Sequence, residues 1–374
     1  MAVFQHTVEE PLNREPSSTK LVENYVTEKI GYDRNHGPIP VIDGESHRVT
    51  IDGAVRSTLS LSVADLQALP QHTVVCALQC AGNRRHTMRT KLHEVQGVDW
   101  FDAAVMNCEW TGPRLRDVLL KAGVSLDEKK WKDAHAAFAC YTAPTENSSW
   151  YGGSIPLDRA MRDDADVILA VQMNGETLSP NHGYPVRVIV PGIAGARSVK
   201  WVERVTVQMT ESENYYQKYD YKVLPPDIDS KEAAEEVWDK VPALMGMPVN
   251  SAIGVPTKGS RVERDRDGHV LVKGYALPGC DSGPITKVEV SGDDGKTWQQ
   301  ATILDQDKFS TEPSKFKWAW CLWEAHVRMQ PSTGKKLLSR ATDQGGNQQQ
   351  ETCEWNLRGV AYNGYGETDE IEVV

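Results

Sequence analysis

The chain has 374 residues, 40% hydrophobic and 25% charged, which is ordinary globular composition with length enough for two separate cores. Its formal charge of -11 argues against a nucleic-acid partner, because no net positive field gathers phosphates; arginines focused in one pocket can still take a small anion. No apolar stretch approaches a membrane span, residues 1–10 lack a secretory pattern, and seven scattered cysteines argue against a disulfide framework, so the expectation is a soluble, reduced, cytoplasmic chain.

Helix and strand signals mix up to residue 244. Cys80-Ala81-Gly82-Asn83-Arg84-Arg85 places a thiol on a small-residue turn with two guanidinium groups close behind. Fixed positive charge lowers a thiol's pKa, which predicts a thiolate able to hold a soft metal, attack as a nucleophile or sense redox state. Thr111-Gly112-Pro113 is predicted to open a helix with Pro in its first turn, Leu115, Val118, Leu119 and Ala122 on its apolar face, and Gly123 closing it. The runs 167–171 and 186–190 predict short buried strands that pair, with Asn174-Gly175 as a turn signal. Residues 230–240 combine charge with helix formers and are predicted to bridge two domains. From 245 the texture changes to short strands, predicted at 270–275, 285–290 and 318–323, with a hairpin turn at Gly292-Asp293-Asp294-Gly295-Lys296. Trp318, Trp320 and Leu322 alternate with Ala319 and Cys321, predicting a sheet with one large-residue face. Short strands at this spacing suggest an immunoglobulin-type sandwich, so the fold class expected is α+β.

The Cys80 hexapeptide resembles the molybdenum-ligating motif of the sulfite oxidase family, which includes the eukaryotic assimilatory nitrate reductases. Six further blocks follow that family's order: Gly31-Tyr32-Asp33-Arg34-Asn35-His36-Gly37-Pro38, Met173-Asn174-Gly175-Glu176, Asn181-His182-Gly183-Tyr184-Pro185-Val186-Arg187, Gly195-Ala196-Arg197-Ser198-Val199-Lys200-Trp201, Asp220-Tyr221-Lys222 and Trp355-Asn356-Leu357-Arg358-Gly359. They span nearly the whole chain. The resemblance implies a mixed α/β molybdenum-cofactor domain over 1–244, an immunoglobulin-like dimerisation domain over 245–374, a homodimer, and molybdenum carried by molybdopterin.

It also implies roles. Cys80 would give its sulfur to molybdenum, while Cys76, Cys108, Cys140, Cys280, Cys321 and Cys353 are read as structural. Tyr32, Arg34, Asn35, His36, His182, Arg187, Ser198, Val199 and Lys200 would hold the pterin and its phosphate. Thr142 stands where the family usually has an aspartate, and a hydroxyl cannot supply a carboxylate's charge. Arg34, Arg85 and Arg358 match the family's anion-binding arginines, and Trp100 and Tyr221 its pocket aromatics; Arg84 is read as a salt-bridge partner. The implied reaction is oxidation of sulfite to sulfate, with Tyr221 assisting proton movement. Nitrate reduction is the nearest rival, but nitrate reductases typically lack the residues matching Arg358 and Tyr221. A catalytically idle dimeric binding protein would have lost Cys80 or the arginines, and none is lost. The chain has no His-Pro-Gly-Gly haem motif, so electrons are expected to pass to oxygen or a separate carrier. Its ending, Asp369-Glu370-Ile371-Glu372-Val373-Val374, is not the peroxisomal Ser-Lys-Leu. Past Gly359 the tail departs from the family's usual Trp-His pattern.

Overall fold

A computed structural model describes residues 3–28, 30–304 and 316–374. The N-terminal part is built on a mixed five-stranded sheet in the order Leu59–Ser62, Arg48–Gly53, Arg204–Gln208, His135–Cys140, Tyr151–Pro156, whose second and third strands run parallel. Val49, Ile51, Phe138 and Val205 share one core with Leu115, Val118 and Leu119. Those leucines and Val118 recur at helical spacing, so the segment Leu115–Ala122 forms an α-helix, closed by Gly123 in the left-handed region at φ 72°. The helix starts later than the sequence suggested. Pro113 ends the strand Val105–Pro113, where its missing N–H costs no hydrogen bond, and Arg114 is the N-cap.

The second sheet of this part pairs Gln71–Gln79 with Val105–Pro113 over their full length, from Gln71 opposite Pro113 to Gln79 opposite Val105. The backbone N–H of Cys80 extends this ladder by bonding Ala104 O at 2.9 Å, so the cysteine sits at the end of a long, rigid hairpin. Asn174 and Gly175, both at positive φ, turn the short hairpin Gln172–Met173 to Glu176–Thr177. The two apolar runs do pair, as antiparallel strands Ile168–Ala170 and Arg187–Ile189.

The C-terminal part is a sandwich. One sheet runs Asn250–Val255, His269–Leu277, Cys321–Arg328, Thr302–Ile303; the other runs Arg261–Val262, Gly366–Val373, Ser332–Asp343, Ile285–Ser291, Gln299–Gln300. Val272 and Trp323 of the first sheet meet Val288, Leu337 and Ile371 of the second in one core. The tryptophan-rich segment departs from expectation. Its strand begins at Cys321, and Trp318 and Trp320 lie before it, with their indole N–H groups bonding Asp166 Oδ2 at 2.8 Å and Tyr25 O at 2.8 Å. Leu322 packs toward the N-terminal part while Cys321 and Trp323 face the sandwich core, so both faces are buried. Between the two parts, Ser230 caps the short helix Lys231–Glu235, and Ala234 packs with Leu224 and Leu357. Among the described residues no helix is long and apolar enough to cross a membrane.

Candidate active site

Two cavities meet at Cys80. The larger, about 770 Å³, is lined by Tyr32, Arg34, Asn35, His36, Cys80, His182, Arg187, Ser198, Lys200 and Tyr221 together with residues the sequence reading did not single out, notably Met106, Thr145, Tyr151, Asn181 and Trp201. The smaller, about 290 Å³, is lined by Arg34, Cys80, Arg85, Gly97, Val98, Asp220, Tyr221 and Arg358. Arg34, Cys80 and Tyr221 belong to both walls.

The turn after Cys80 is shaped for one arginine. Cys80 O accepts from Asn83 N at 3.0 Å, Gly82 O accepts from Arg85 N at 3.0 Å, and the helix Arg85–Lys91 follows. A Cβ on Gly82 would stand 2.5 Å from the Arg85 guanidinium carbon, and Gly97, at φ 123°, would meet Arg85 Nη1 at 2.7 Å. Arg85 is further held by Arg358 O (3.0 Å), Gly359 O (3.2 Å) and Val98 O (2.8 Å), leaving Nη2 without a protein partner among the described residues. Arg84 turns away and lies fully buried, bonding Asp102 (3.1 Å), Asn250 Oδ1 (2.8 Å), Gly364 O (2.7 Å) and Tyr365 O (2.6 Å).

The thiolate expected at Cys80 is corrected by its surroundings. Burial pushes the free thiol above its ordinary value, and Arg34 and Arg85 offset that only in part. The arginine that matters alongside Arg85 comes from the Arg34 block, which the local motif did not reveal.

Arg34 Nη1 bonds Asn13 Oδ1 at 3.0 Å and Asn35 O, and its Nη2 lies 3.0 Å from His36 Nδ1. A guanidinium only donates, so Nδ1 accepts and the ring proton sits on Nε2. That proton goes to the Tyr221 hydroxyl oxygen at 2.6 Å. The tyrosine's own proton is therefore free for a partner in the cavities. Burial and the surrounding Arg34, Arg358, Lys200 and Arg85 keep His36 well below its ordinary pKa, hence neutral. Tyr221 follows a π-helical turn, Tyr216–Asp220, and the carbonyls of Tyr216 and of Tyr221 itself accept from the buried Arg197.

At the other end of the large cavity, Arg187 donates to His182 O (2.9 Å) and Ser198 O (3.0 Å) while its Nε is buried without a partner among the described residues. Lys200 bonds Asn35 Oδ1 and Asn181 O. Burial, with Arg187 beside it, brings Lys200 down to about 7, and burial brings Arg187 down to about 10. Crowded buried cations with an unused N–H fit an anionic, hydrogen-bonding ligand such as a phosphate-bearing pterin. The Ser198 hydroxyl oxygen accepts from Val190 N at 3.1 Å, which shapes the floor.

Three expectations are placed elsewhere. Trp100 is fully buried and lines neither cavity, standing edge-on to Tyr32 at 6.4 Å between centroids. Val199 lies beneath the surface, its carbonyl accepting from Val188 N at 2.9 Å. Thr142 is exposed and bonds the Glu203 carboxylate, while Ala143, Pro144 and Thr145 reach the wall. Among the described residues no group of three or more His, Cys, Asp or Glu side chains could hold a metal, so a metal at Cys80 needs ligands from a cofactor.

Comparison with known proteins accounts for this arrangement. Residues 36–216 match the family described as an oxidoreductase molybdopterin binding domain, and residues 241–369 match the Mo-co oxidoreductase dimerisation domain. Both matches are to domains of molybdopterin-binding oxidoreductases. Mitochondrial sulfite oxidase of Rattus norvegicus is 41% identical over 95% of this chain and 63% of its own length. Sulfite oxidase of Arabidopsis thaliana is 39% identical over 94% of this chain and 89% of its own, and the NADH nitrate reductase of Volvox carteri 36% over 97% and 42%. The chain belongs to the sulfite oxidase family, whose cofactor is molybdenum held by molybdopterin. It spans about 63% of the length of the mammalian relatives it matches. The sulfane dehydrogenase SoxCD of Paracoccus pantotrophus shares the fold, with a TM-score of 0.76 at 24% identity over 99% of this chain and 89% of that one.

Proposed function

We propose that this protein oxidises sulfite to sulfate at a molybdenum centre and passes the electrons to oxygen or a separate carrier protein. The observation that carries the reading is the convergence of Arg34, Arg85 and Arg358 on a small cavity that shares Cys80 and Tyr221 with the larger one. Three cations lining one small cavity suit a compact oxyanion, because each charge lost to burial is repaid by an opposite charge at short range.

When bound, the molybdenum cofactor supplies two-electron redox chemistry. Cys80 would hold the metal; Tyr32, Asn35, His36, His182, Arg187, Ser198 and Lys200 would hold the pterin and its phosphate. The three arginines orient the anion and neutralise its charge. Arg34 also fixes the His36 tautomer, and His36 in turn leaves the Tyr221 proton free to stabilise charge on a reacting oxygen. A homodimer formed through the C-terminal sandwich and a cytoplasmic location complete the proposal.

The test is sulfite-dependent reduction of ferricyanide, run beside nitrate reduction on the same molybdenum-loaded protein. Ferricyanide replaces the natural acceptor, so the assay isolates the molybdenum half-reaction. Sulfite turnover without nitrate turnover is expected. Nitrate turnover alone would overturn the substrate assignment, and neither activity would favour an idle scaffold.

A further inference from the structure

An acidic side chain stands inside the arginine-lined cavity. Asp220, the last residue of the π-helical turn, lines that cavity with a side chain only 10% exposed, and it pairs with Arg358 Nη2. A carboxylate in a pocket built for anions weakens every anion that enters, so its presence calls for a reason.

The three arginines differ in how firmly they are tied. Arg34 donates to Asn13 Oδ1, Asn35 O and His36 Nδ1. Arg85 donates to three backbone carbonyls, those of Val98, Arg358 and Gly359. The Arg358 guanidinium has one long bond to Gln96 Oε1 at 3.4 Å and its pair with Asp220, while its buried Nε has no partner among the described residues. Its main chain is firm all the same, because its carbonyl holds Arg85 and Leu357 O accepts from Gln96 N at 2.8 Å. Arg358 is thus an anchored residue with a loosely committed head, and Asp220 is what holds that head.

We infer that Asp220 is a resident counter-anion that occupies Arg358 between turnovers and is displaced by the substrate, and that its charge weakens the hold on the dianionic product enough to release it. The inference rests on the sulfite reading above. With Asp220 in place the side chains of Arg34, Arg85, Arg358 and Asp220 carry a net charge of +2 (three positive, one negative), which a dianion neutralises. Without it the pocket would be left with surplus positive charge around sulfate. Binding must be favourable enough to enter and weak enough to leave, and one carboxylate sets that balance.

The measurement is calorimetric titration of the molybdenum-loaded protein with sulfate and, separately, with nitrate, comparing wild type with Asp220→Asn. Sulfate should bind on the order of tenfold more tightly to the variant, and nitrate should gain less, since a dianion feels the removed charge twice. In steady-state assay the KM for sulfite should fall together with kcat, as release slows. In the Arg358→Met background the part of the gain that comes from freeing Arg358 should be lost, while the part due to the Asp220 charge itself remains. No gain in sulfate affinity, or equal gains for the two anions, would overturn the inference and leave Asp220 a structural brace. Asp220→Ser gives the same reading with less bulk; if neither neutral variant folds while Asp220→Glu does, the carboxylate is structural and the inference is wrong. Wild-type sulfite turnover is measured in parallel. Its absence alongside tighter sulfate binding would remove the proposed reaction and keep the anion switch.

Discussion

Cys80 shows why a local motif misjudges a charge. Two adjacent guanidinium groups argued for a lowered pKa, but one of them, Arg84, turns into the junction between the two parts, and burial raises the thiol instead. A buried neutral thiol becomes a thiolate when a metal takes the proton's place, so ligation and deprotonation are one event. Cys80→Ser should therefore abolish sulfite turnover while the pterin is still retained; metal analysis and pterin fluorescence on the same sample check both halves. His182 gives a pH signature. Burial lowers it to about 4 in the folded chain, so it is neutral there and must charge on unfolding in acid. The folded state binds fewer protons between the two values, which makes its contribution complete above about 6.5 and lost as the pH falls through about 4. That contribution is at most on the order of 3 kcal/mol. Cofactor-free His182→Gln protein should lose less denaturant stability than wild type between pH 6.5 and 4. His182 and Cys80 were both legible as candidates because each sits inside a block of the resemblance. Asp220 was quoted in a block and passed over; a carboxylate directly before a pocket tyrosine was the available signal.

At the scale of elements, the site is assembled from ends. Cys80 caps the Gln71–Gln79 hairpin strand, Arg85 opens a helix, and Asp220 and Tyr221 leave a π-helical turn. Arg84 locks this assembly to the sandwich through the buried Asn250 Oδ1 and Gly364 carbonyl and the half-buried Tyr365 carbonyl. Arg84→Met strips the Asp102 carboxylate and Tyr365 O of their partner, while Gln349 Nε2 still bonds Asn250 Oδ1 at 3.3 Å and Gly364 O at 2.8 Å, and it should cost about 3 kcal/mol in urea unfolding of the cofactor-free chain. A loss under about 1 kcal/mol would mean water replaces the guanidinium. The amphipathic helix Leu115–Ala122 and the strands Ile168–Ala170 and Arg187–Ile189 were readable because their periodicity and length carry the signal. The Trp318–Trp323 alternation misled, because period-2 logic assumes one wet face and here both are covered.

Over the whole molecule, one functional arginine crosses a domain boundary. Arg358 belongs to the sequence matched by the dimerisation domain, yet its guanidinium lines the cavity beside Cys80. Leu357, packed with Leu224 and Ala234 of the connecting segment, fixes the approach. Arg358→Met should weaken sulfite turnover and leave molybdenum content intact, because the arginine touches the anion cavity and not the larger one. Loss of metal in that variant would show that the two cavities are not functionally separate.

The sequence by itself determined the residue inventory: the metal-ligating cysteine, the cationic blocks, the sandwich that follows, and the family they resemble. Each is a local pattern, and local chemistry can be read along the chain. Only the tertiary structure decided which of those residues share a wall. Residues 34, 80, 85, 221 and 358 lie far apart in sequence and meet solely because the hairpin, the π-helical turn and the loop beneath Leu357 end at one place. The same packing sent Arg84 and Trp100 away from the cavities, set the His36 tautomer through Arg34, and put Asp220 among the arginines. Burial and through-space charge govern those outcomes, and neither is written in the spacing of residues along the chain.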